Sequence, residues 1–563
     1  MGGAISVTGM GILCAIGTDS NSVLHSLKNG KSGIGKMTYL RTVHDDIPVG
    51  EVPLSTAQMK DILRISGDAP LCRTSAMGAI AVKEALRQAK VNPAGKKVVL
   101  ISGTTVGVMD IAENSDSPHG NQCGESTEKI AEYAGLGNVE CCTVCTACSS
   151  ALNAIMLGSD MLKRGEADIA IVGGSEPLTR FHLNGFNSLM ILDRERCRPF
   201  DETRAGLNLG EGAAFMVLEK DAENALAYIE GYANRCDAFH QTATSANGDG
   251  AYYAMTGALG TAALKPSDIK YVNAHGTATP DNDASETAAF KRVFGDAIPA
   301  ISSTKSYTGH TTSASGSIET VICILAMRNN FIPPSLGWNQ AMPDGIIPSS
   351  GASGVHLDHI MCNSFGFGGN DSSLIIGKYP PVSSAVPYED RFPVTKVSTV
   401  TIDSEERLVA LKEFLSPMNT RRLCKMMKAC LLSAFLALKE AGISCPDAIV
   451  GATGGGMLEM SSIFLEDIST NAEEHLRPTI FMQSTHNTVA SAIAINTGCH
   501  GYNITYSQGE KSTLWAMRDV RKLVSTGEAR TVLLCSFEET VRDGKTDTFR
   551  AECSIFSTET AGM

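Results

Sequence analysis

The 563-residue sequence predicts an α/β fold, on three observations. Short β-branched runs alternate with helical patterns, 54 glycines punctuate them, and features of the first 180 residues recur in the same order beyond residue 390. Such alternation buries a sheet beneath covering helices. The composition, 43% hydrophobic and 19% charged, supports large cores and excludes disorder, collagen and a disulfide-rich miniprotein.

In chain order, Ala4–Val7, Val98–Ser102, Ile169–Gly173, Ala213–Leu218 and Ile375–Gly377 read as strands. Ser149–Gly165 and Gly316–Asn329 read as helices, the first stopped by its glycine. The Pro/Ser-rich stretch from Lys378 to Pro387 follows a strand and reads as a linker. The expected units are therefore residues 1–378, a linker at 379–390, and residues 391–563.

The repeat defines the last unit. Leu71-Cys72-Arg73 returns as Leu423-Cys424-Lys425, and the strand leading into Gly103–Gly107 returns as Ile449 to Gly456. At a constant offset of 362, Ser150, Leu152, Ala154, Gly165, Glu166, Ala167 and Glu176 meet identical residues between Ser512 and Glu538.

Charge and patterning exclude whole classes. Forty-seven basic residues against 60 acidic leave a net charge of −13, which repels polyanions, so no nucleic-acid partner is expected. No apolar run approaches the roughly 18 residues of a spanning helix, so no membrane is expected. Met1 to Thr18 has no basic leader and reads as a strand and turn, without a signal peptide. The 17 cysteines are scattered among apolar residues, which fits a reducing, cytoplasmic location.

Val139 to Ser150 holds Cys142, Cys145 and Cys148 in C-x₂-C-x₂-C spacing, for which a metal or iron–sulfur site is the first reading. Against it, Glu140–Cys145 reads as a strand that points Cys142 and Cys145 to opposite faces, and no fourth ligand follows at a fitting distance. The better account starts a helix at Cys148. In a first turn, free N–H groups and the helix dipole favour a thiolate, which makes a nucleophile. His275 and His310 stand in small-residue, turn-like settings, and Lys305 lies just ahead of the second. Singly, such histidines are ordinary structural residues; the combination with Cys148 makes them candidates for chemistry.

These residues carry a family resemblance. Residues 1 to about 378 resemble a β-ketoacyl-acyl carrier protein synthase, an elongating condensing enzyme of the thiolase-like superfamily. The matching segments are Thr146-Ala-Cys148-Ser-Ser, Gly165 to Glu176, Arg198-Pro-Phe-Asp201, Leu209-Gly-Glu-Gly212, His275-Gly-Thr-Ala-Thr-Pro280, Lys305 to His310, Glu319, and Asn363 to Gly369. A thiolase would replace one histidine with cysteine, and initiating synthases use Cys-His-Asn; neither fits positions 275 and 310. One departure is Asp371, where many relatives carry Asn.

The resemblance implies a thiolase-like fold, with duplicated βαβαβ halves in layers α-β-α-β-α. It implies decarboxylative Claisen condensation on phosphopantetheine thioesters of acyl carrier protein, with no bound cofactor and no metal, in fatty acid or polyketide/polyene biosynthesis. Cys148 is the expected nucleophile, with the N–H groups of Cys148 and Phe367 as oxyanion hole. His275 and His310 would hold the malonyl carbonyl. Lys305 and Glu319 would support that network, Thr277 and Thr279 would bind the pantetheine arm, and Phe367 would gate the acyl pocket. Arg198 is a further expected substrate contact, and with Arg194, Arg196, Arg204, Arg73, Lys163 and Arg164 it is a candidate for docking the acidic carrier protein.

Residues 391–563 then resemble a second amino-terminal half of such an enzyme. The offset puts Glu510 where Cys148 stands, only 25 residues follow Glu538, and His475, His486 and His500 align with no catalytic position. A scaffold without its nucleophile resembles the chain-length-factor subunits that pair with active synthases. The expected assembly is a homodimer, or an intramolecular pseudo-dimer through the added half-domain. The alternative function is a noncatalytic chain-length factor or scaffold throughout.

Overall fold

The computed structural model describes residues 3–66, 71–115, 122–381, 389–542 and 544–558. The core of the expected linker, residues 382–388, lies outside them.

The strands are β1 (Ile5–Cys14), β2 (Val98–Gly103), β3 (Glu140–Val144), β4 (Ile169–Glu176), β5 (Gly212–Lys220), β6 (Ala227–Cys236), β7 (Tyr271–Asn273), β8 (Ala300–Ser302), β9 (Phe331–Ile332), β10 (Ala352–Ser353), β11 (His359–Gly366), β12 (Asn370–Gly377), β13 (Thr395–Ile402), β14 (Ala448–Ala452), β15 (Tyr502–Tyr506), β16 (Thr531–Arg542) and β17 (Lys545–Ser557). Apart from the small β9–β10 pair, they form one hydrogen-bonded order: β13-β17-β16-β14-β15-β3-β2-β4-β5-β1-β6-β12-β11-β7-β8. The five expected strands are all present and longer than read. β12 begins at Asn370, where Asn370, Asp371, Ser372 and Ser373 pair with β6 and β11; they are polar by residue type yet buried, a pattern that β propensity does not reveal.

The first two sets of five strands are the two halves of a layered fold. They join only where β1 pairs with β6 through Ile5–Val7. Helix Ser150–Arg164 packs on β2 and β4 of the first half and reaches β12 of the second; helix Ser315–Asn329 packs on β5 and on β11. These two helices are the middle layer. Helix Ser315–Asn329 is accordingly buried from Ser315 to Met327. Helices Arg73–Ala89 and Asp249–Ala262 cover the outer faces.

The third set repeats the first strand for strand: β13-β17-β16-β14-β15 follows the order β1-β5-β4-β2-β3. The copying reaches single hydrogen bonds. Glu176 accepts the N–H groups of Thr105 and Val106, and Glu538 accepts those of Gly454 and Gly455. Ala147 (φ 51°) and Gly509 (φ 53°) take the same left-handed turn, each with a serine, Ser150 or Ser512, donating to its carbonyl at 2.6 Å. Glu510 follows that turn on the surface, where Cys148 follows it in the interior.

The copies meet through equivalent positions. Val144 pairs antiparallel with Tyr506, its own counterpart at offset 362. Cys145 N–H donates to Thr505 O at 2.8 Å, and Ser507 N–H returns the bond to Thr143 O at 3.0 Å. Two identical surfaces meeting about a twofold axis make such reciprocal contacts. Around them Trp515 Nε1 donates to Cys141 O at 3.1 Å, and buried Lys522 pairs with Asp160 at 2.8 Å. Among the described residues, no helix is long and apolar enough to cross a membrane.

Candidate active site

Donor atoms of Cys148, His275 and His310 lie within 4.8 Å of one another, all three residues buried. Two come from the carboxyl ends of strands, Cys148 four residues after β3 and His275 two after β7, and His310 comes from the loop ahead of helix Ser315–Asn329. Ligand sites in α/β folds collect at such ends. The turn that carries Cys148 is pinned from both sides, with Thr146 N–H donating to Ser150 Oγ (2.9 Å) and Ser364 Oγ donating to Cys148 O (2.8 Å). The C-x₂-C-x₂-C spacing makes no common metal site, because Cys148 joins the two histidines while Cys145 joins a different cluster.

The helix begins at Ser150 with Ser149 as its N-cap, so Cys148 precedes it and does not sit in its first turn. Burial pushes the Cys148 thiol up to about 12, against the opposing pull of Lys305 and of the Phe367 and Cys148 N–H groups. Burial therefore works against the expected thiolate and favours the thiol form. Its sulfur lies 3.1 Å from His310 Nε2, and His310 Nδ1 lies 3.0 Å from Ser315 Oγ. Burial, then the Lys305 charge, hold both His275 and His310 well below the ordinary histidine range, so both imidazoles are neutral.

Lys305 Nζ pairs with Glu319 Oε1 at 2.5 Å, both side chains buried. Burial raises the Glu319 carboxyl to about 7 despite that cation. The pair stands behind the histidines and off the cavity wall. Asp371 is likewise buried, its carboxyl pushed well above the usual range by burial and by Asp237.

The cavity in front of the sulfur measures about 400 Å³ and is lined by Cys148, His275, His310, Thr277, Thr279 and Phe367, among others. Thr277 and Thr279 share a hydrogen bond of 2.9 Å between hydroxyls. Phe367 stacks on Phe186 at 5.5 Å between ring centroids. Two expectations change. Arg198 is absent from this wall and is held by Asp193 (3.3 Å), Glu195 (2.9 Å) and the Thr203 carbonyl (2.8 Å), which anchor its loop. Arg73 is buried in a two-pronged pair with Glu211 and presents no docking charge. Arg194, Arg164, Lys163 and Arg204 are also engaged, by Asp46, Glu166, Tyr232 and the Pro280 carbonyl. The basic cluster therefore carries less free charge than its sequence suggests.

Three supporting residues went unnoticed in the sequence. Ser315 fixes the His310 ring, Glu286 accepts the N–H groups of His275 and Gly276 (2.9 and 2.8 Å), and Asn487 of the added half-domain donates to the Phe367 carbonyl at 3.1 Å. Ser315 and Glu286 lie within a helical turn or three of the histidines they hold. Asn487 is 120 residues from Phe367 and carried no signal at all.

A buried thiol against a neutral histidine, with two N–H groups converging on the sulfur, defines a covalent acyl-transfer site. The chain belongs to the β-ketoacyl synthase family. Residues 3–224 match its N-terminal domain and 226–339 its C-terminal domain; residues 398–550 match an N-terminal domain a second time. A 3-oxoacyl-[acyl-carrier-protein] synthase 2 of Staphylococcus aureus (strain COL) is 30% identical over 414 residues, 67% of this chain and 98% of that protein. Nodulation protein E of Rhizobium meliloti (strain 1021) is 33% identical over 403 residues, covering 66% and 98%. The solved ishigamide ketosynthase/chain length factor is 29% identical, covering 67% of this chain and all of that one, with a TM-score of 0.62. The PfaC keto synthase-chain length factor shares the fold over 99% of this chain and 78% of its own, with a TM-score of 0.80 at 17% identity.

Proposed function

We propose that the chain is a 3-oxoacyl-acyl carrier protein synthase, condensing a malonyl-carrier thioester with an acyl group held on Cys148. The observation that carries this reading is the Cys148–His310 contact at 3.1 Å beside the neutral His275. In the first half-reaction His310 Nε2 takes the thiol proton and the sulfur attacks the carrier thioester. The oxyanion forms against the Cys148 and Phe367 N–H groups, and the departing phosphopantetheine thiol recovers the proton.

In the second, the malonyl carbonyl accepts hydrogen bonds from His275 and from His310, the latter now in the tautomer with its proton on Nε2 and Nδ1 accepting from Ser315 Oγ; the two rings stand nearly perpendicular (83°) at 5.3 Å. Carbon dioxide leaves, its bonding electrons form the enolate, and the enolate carbon attacks the acyl-cysteine. The Cys148 thiolate departs and takes up a proton from water to restore the thiol, and the 3-oxoacyl chain remains on the carrier. Neutral imidazoles suit this step, since the hydrogen bonds must follow charge as it moves onto the thioester oxygen. Lys305 and Glu319 keep the field behind the rings fixed. Thr277 and Thr279 are the groups on the wall able to hydrogen-bond the pantetheine amides, and Phe367 moves aside to admit the acyl chain.

Residues 391–563 serve as a built-in, catalytically dead partner that completes a pseudo-dimer within one chain. The reciprocal Val144–Tyr506 contact supports this, as does the exposed Glu510 in place of the nucleophile. The free, mostly buried cysteines fit a reducing cytoplasm. The test is release of carbon dioxide and formation of 3-oxoacyl product from malonyl-carrier protein with acyl-carrier primers. Neither product from folded protein across several primers would refute the enzyme and leave a scaffold.

A further inference from the structure

A second constellation lies beside the catalytic one and takes no part in the condensation. Cys123 and Cys145 come from the synthase unit and His486 from the added half-domain. Their ligand atoms all lie within 4.8 Å of one another, with the three residues exposed by 0%, 1% and 1%. Cys123 Sγ is 3.8 Å from His486 Nε2. The other ring nitrogen, Nδ1, meets Ser507 Oγ at 2.8 Å, which fixes the ring and turns Nε2 toward the sulfurs.

The place of this cluster in the repeat is informative. Cys123, the first residue of its helix, and His486, two residues ahead of its own, each stand twelve positions before the closing glycine, Gly135 or Gly498, and so occupy corresponding parts of the two copies, one position off the 362 spacing. Cys145 and Ser507 are likewise counterparts at offset 362. Two positions from each copy thus meet at the contact between copies, as Cys145 and Cys123 on one side and His486 and Ser507 on the other. Gly456 makes the room: a Cβ there would fall 2.2 Å from His486 Nε2.

We propose that Cys123, Cys145 and His486 bind a thiophilic divalent cation, zinc in its chemistry, which ties the half-domain to the synthase unit. Two thiolates and an imidazole are a zinc donor set, with bonds of about 2.3 Å to sulfur and about 2.1 Å to nitrogen. At those lengths the donors would close to within roughly 4 Å of each other, a contraction that side-chain rotation supplies. Binding replaces two S–H protons, which are released to solvent, so charge balances without a redox step. The sulfurs already face oxygen: Cys145 Sγ is 2.8 Å from the Thr104 carbonyl and Cys123 Sγ 3.7 Å from the Thr105 carbonyl. A carbonyl or a water completes the fourth position. Ser507 is the outer partner that orients the imidazole. The site is independent of the condensation reaction, because none of its three ligands lines the substrate cavity.

The test uses the full-length protein, reduced and stripped of metal, titrated anaerobically with Co²⁺ and then Zn²⁺. The Cys148→Ala variant is run in parallel so that the catalytic thiol cannot contribute. The expected result is one cobalt per chain, with a sulfur-to-cobalt charge-transfer band that zinc displaces and that persists in Cys148→Ala. Cys145→Ser and His486→Asn should lose that band. Ser507→Ala should keep it with affinity lowered about 10- to 100-fold. No stoichiometric metal in folded Cys148→Ala overturns the proposal. So does a band that vanishes with Cys148 but survives Cys145→Ser, or a Cys123–Cys145 disulfide in freshly purified protein. Should Cys145→Ser fail to fold, the stoichiometry and spectrum of the Cys148→Ala protein decide alone.

Discussion

Cys148 Sγ lies 3.1 Å from His310 Nε2 although 162 residues separate them, and burial holds the thiol near 12 while keeping the imidazole neutral. The pair therefore sets a thiol against a nitrogen able to take its proton. Cys148→Ala should abolish acyl loading and condensation while malonyl decarboxylation persists, because His275 and His310 remain. His310→Ala should lose both activities, by about 10²- to 10⁴-fold, the usual worth of a positioned base. Intact-mass measurement of the acyl-enzyme and carbon dioxide release separate the two outcomes.

Lys305 and Glu319 are buried together, so removing one strands the other. Glu319→Gln retains a hydrogen-bond acceptor but leaves the Lys305 charge uncompensated, and Glu319→Ala removes the acceptor too. The alanine variant should lose about 3–5 kcal/mol of stability, with the glutamine variant between it and wild type, read by denaturant unfolding.

Acid should destabilise the protein through its buried neutral histidines. His182 is depressed from 6.5 to about 4, mainly by burial, and burial and the Lys305 charge hold His275 and His310 well below the ordinary histidine range. In this window the unfolded chain binds protons that the folded chain refuses, so stability rises with pH and is lost as pH falls from about 6.5 toward 4. The melting temperature should drop across that window, and less steeply in His182→Gln, which cannot take up its proton.

Gly185 faces Phe481 across the junction of the two units, where an added Cβ would fall 2.2 Å from the ring. Phe481 also contacts Phe181, Phe186 and Phe464. Gly185→Ala should force this aromatic cluster apart and cost about 1–3 kcal/mol, measured as a shift in melting temperature. Since Phe186 also stacks on Phe367, the same substitution should alter KM for acyl-carrier substrates.

Glu510→Cys should remain inert. The backbone turn before Cys148 is copied at Gly509, but position 510 is exposed to water, where Cys148 is enclosed against His310. Acyl transfer followed by peptide mapping should find label on Cys148 and none on residue 510.

The sequence by itself determined the α/β class and the repeat, and it singled out Cys148, His275 and His310, which the fold brings together, because these depend on local motifs and on a constant spacing. Small residues around Cys148 and turn residues around the histidines are demands of backbone geometry, and such demands leave a local trace. Tertiary structure alone decided the electrostatics. A helix start suggested a thiolate, yet the charge state follows from desolvation, which sums over every neighbour in space. It likewise decided that Arg73 and Arg198 are held by carboxylates, that Asn487 reaches the Phe367 carbonyl, and that Cys123, Cys145 and His486 converge. The carboxylates that hold Arg73 and Arg198 lie within the synthase unit, whereas the Asn487–Phe367 bond and the Cys123, Cys145, His486 set join residues distant in the chain that only the packing of one copy against the other brings together.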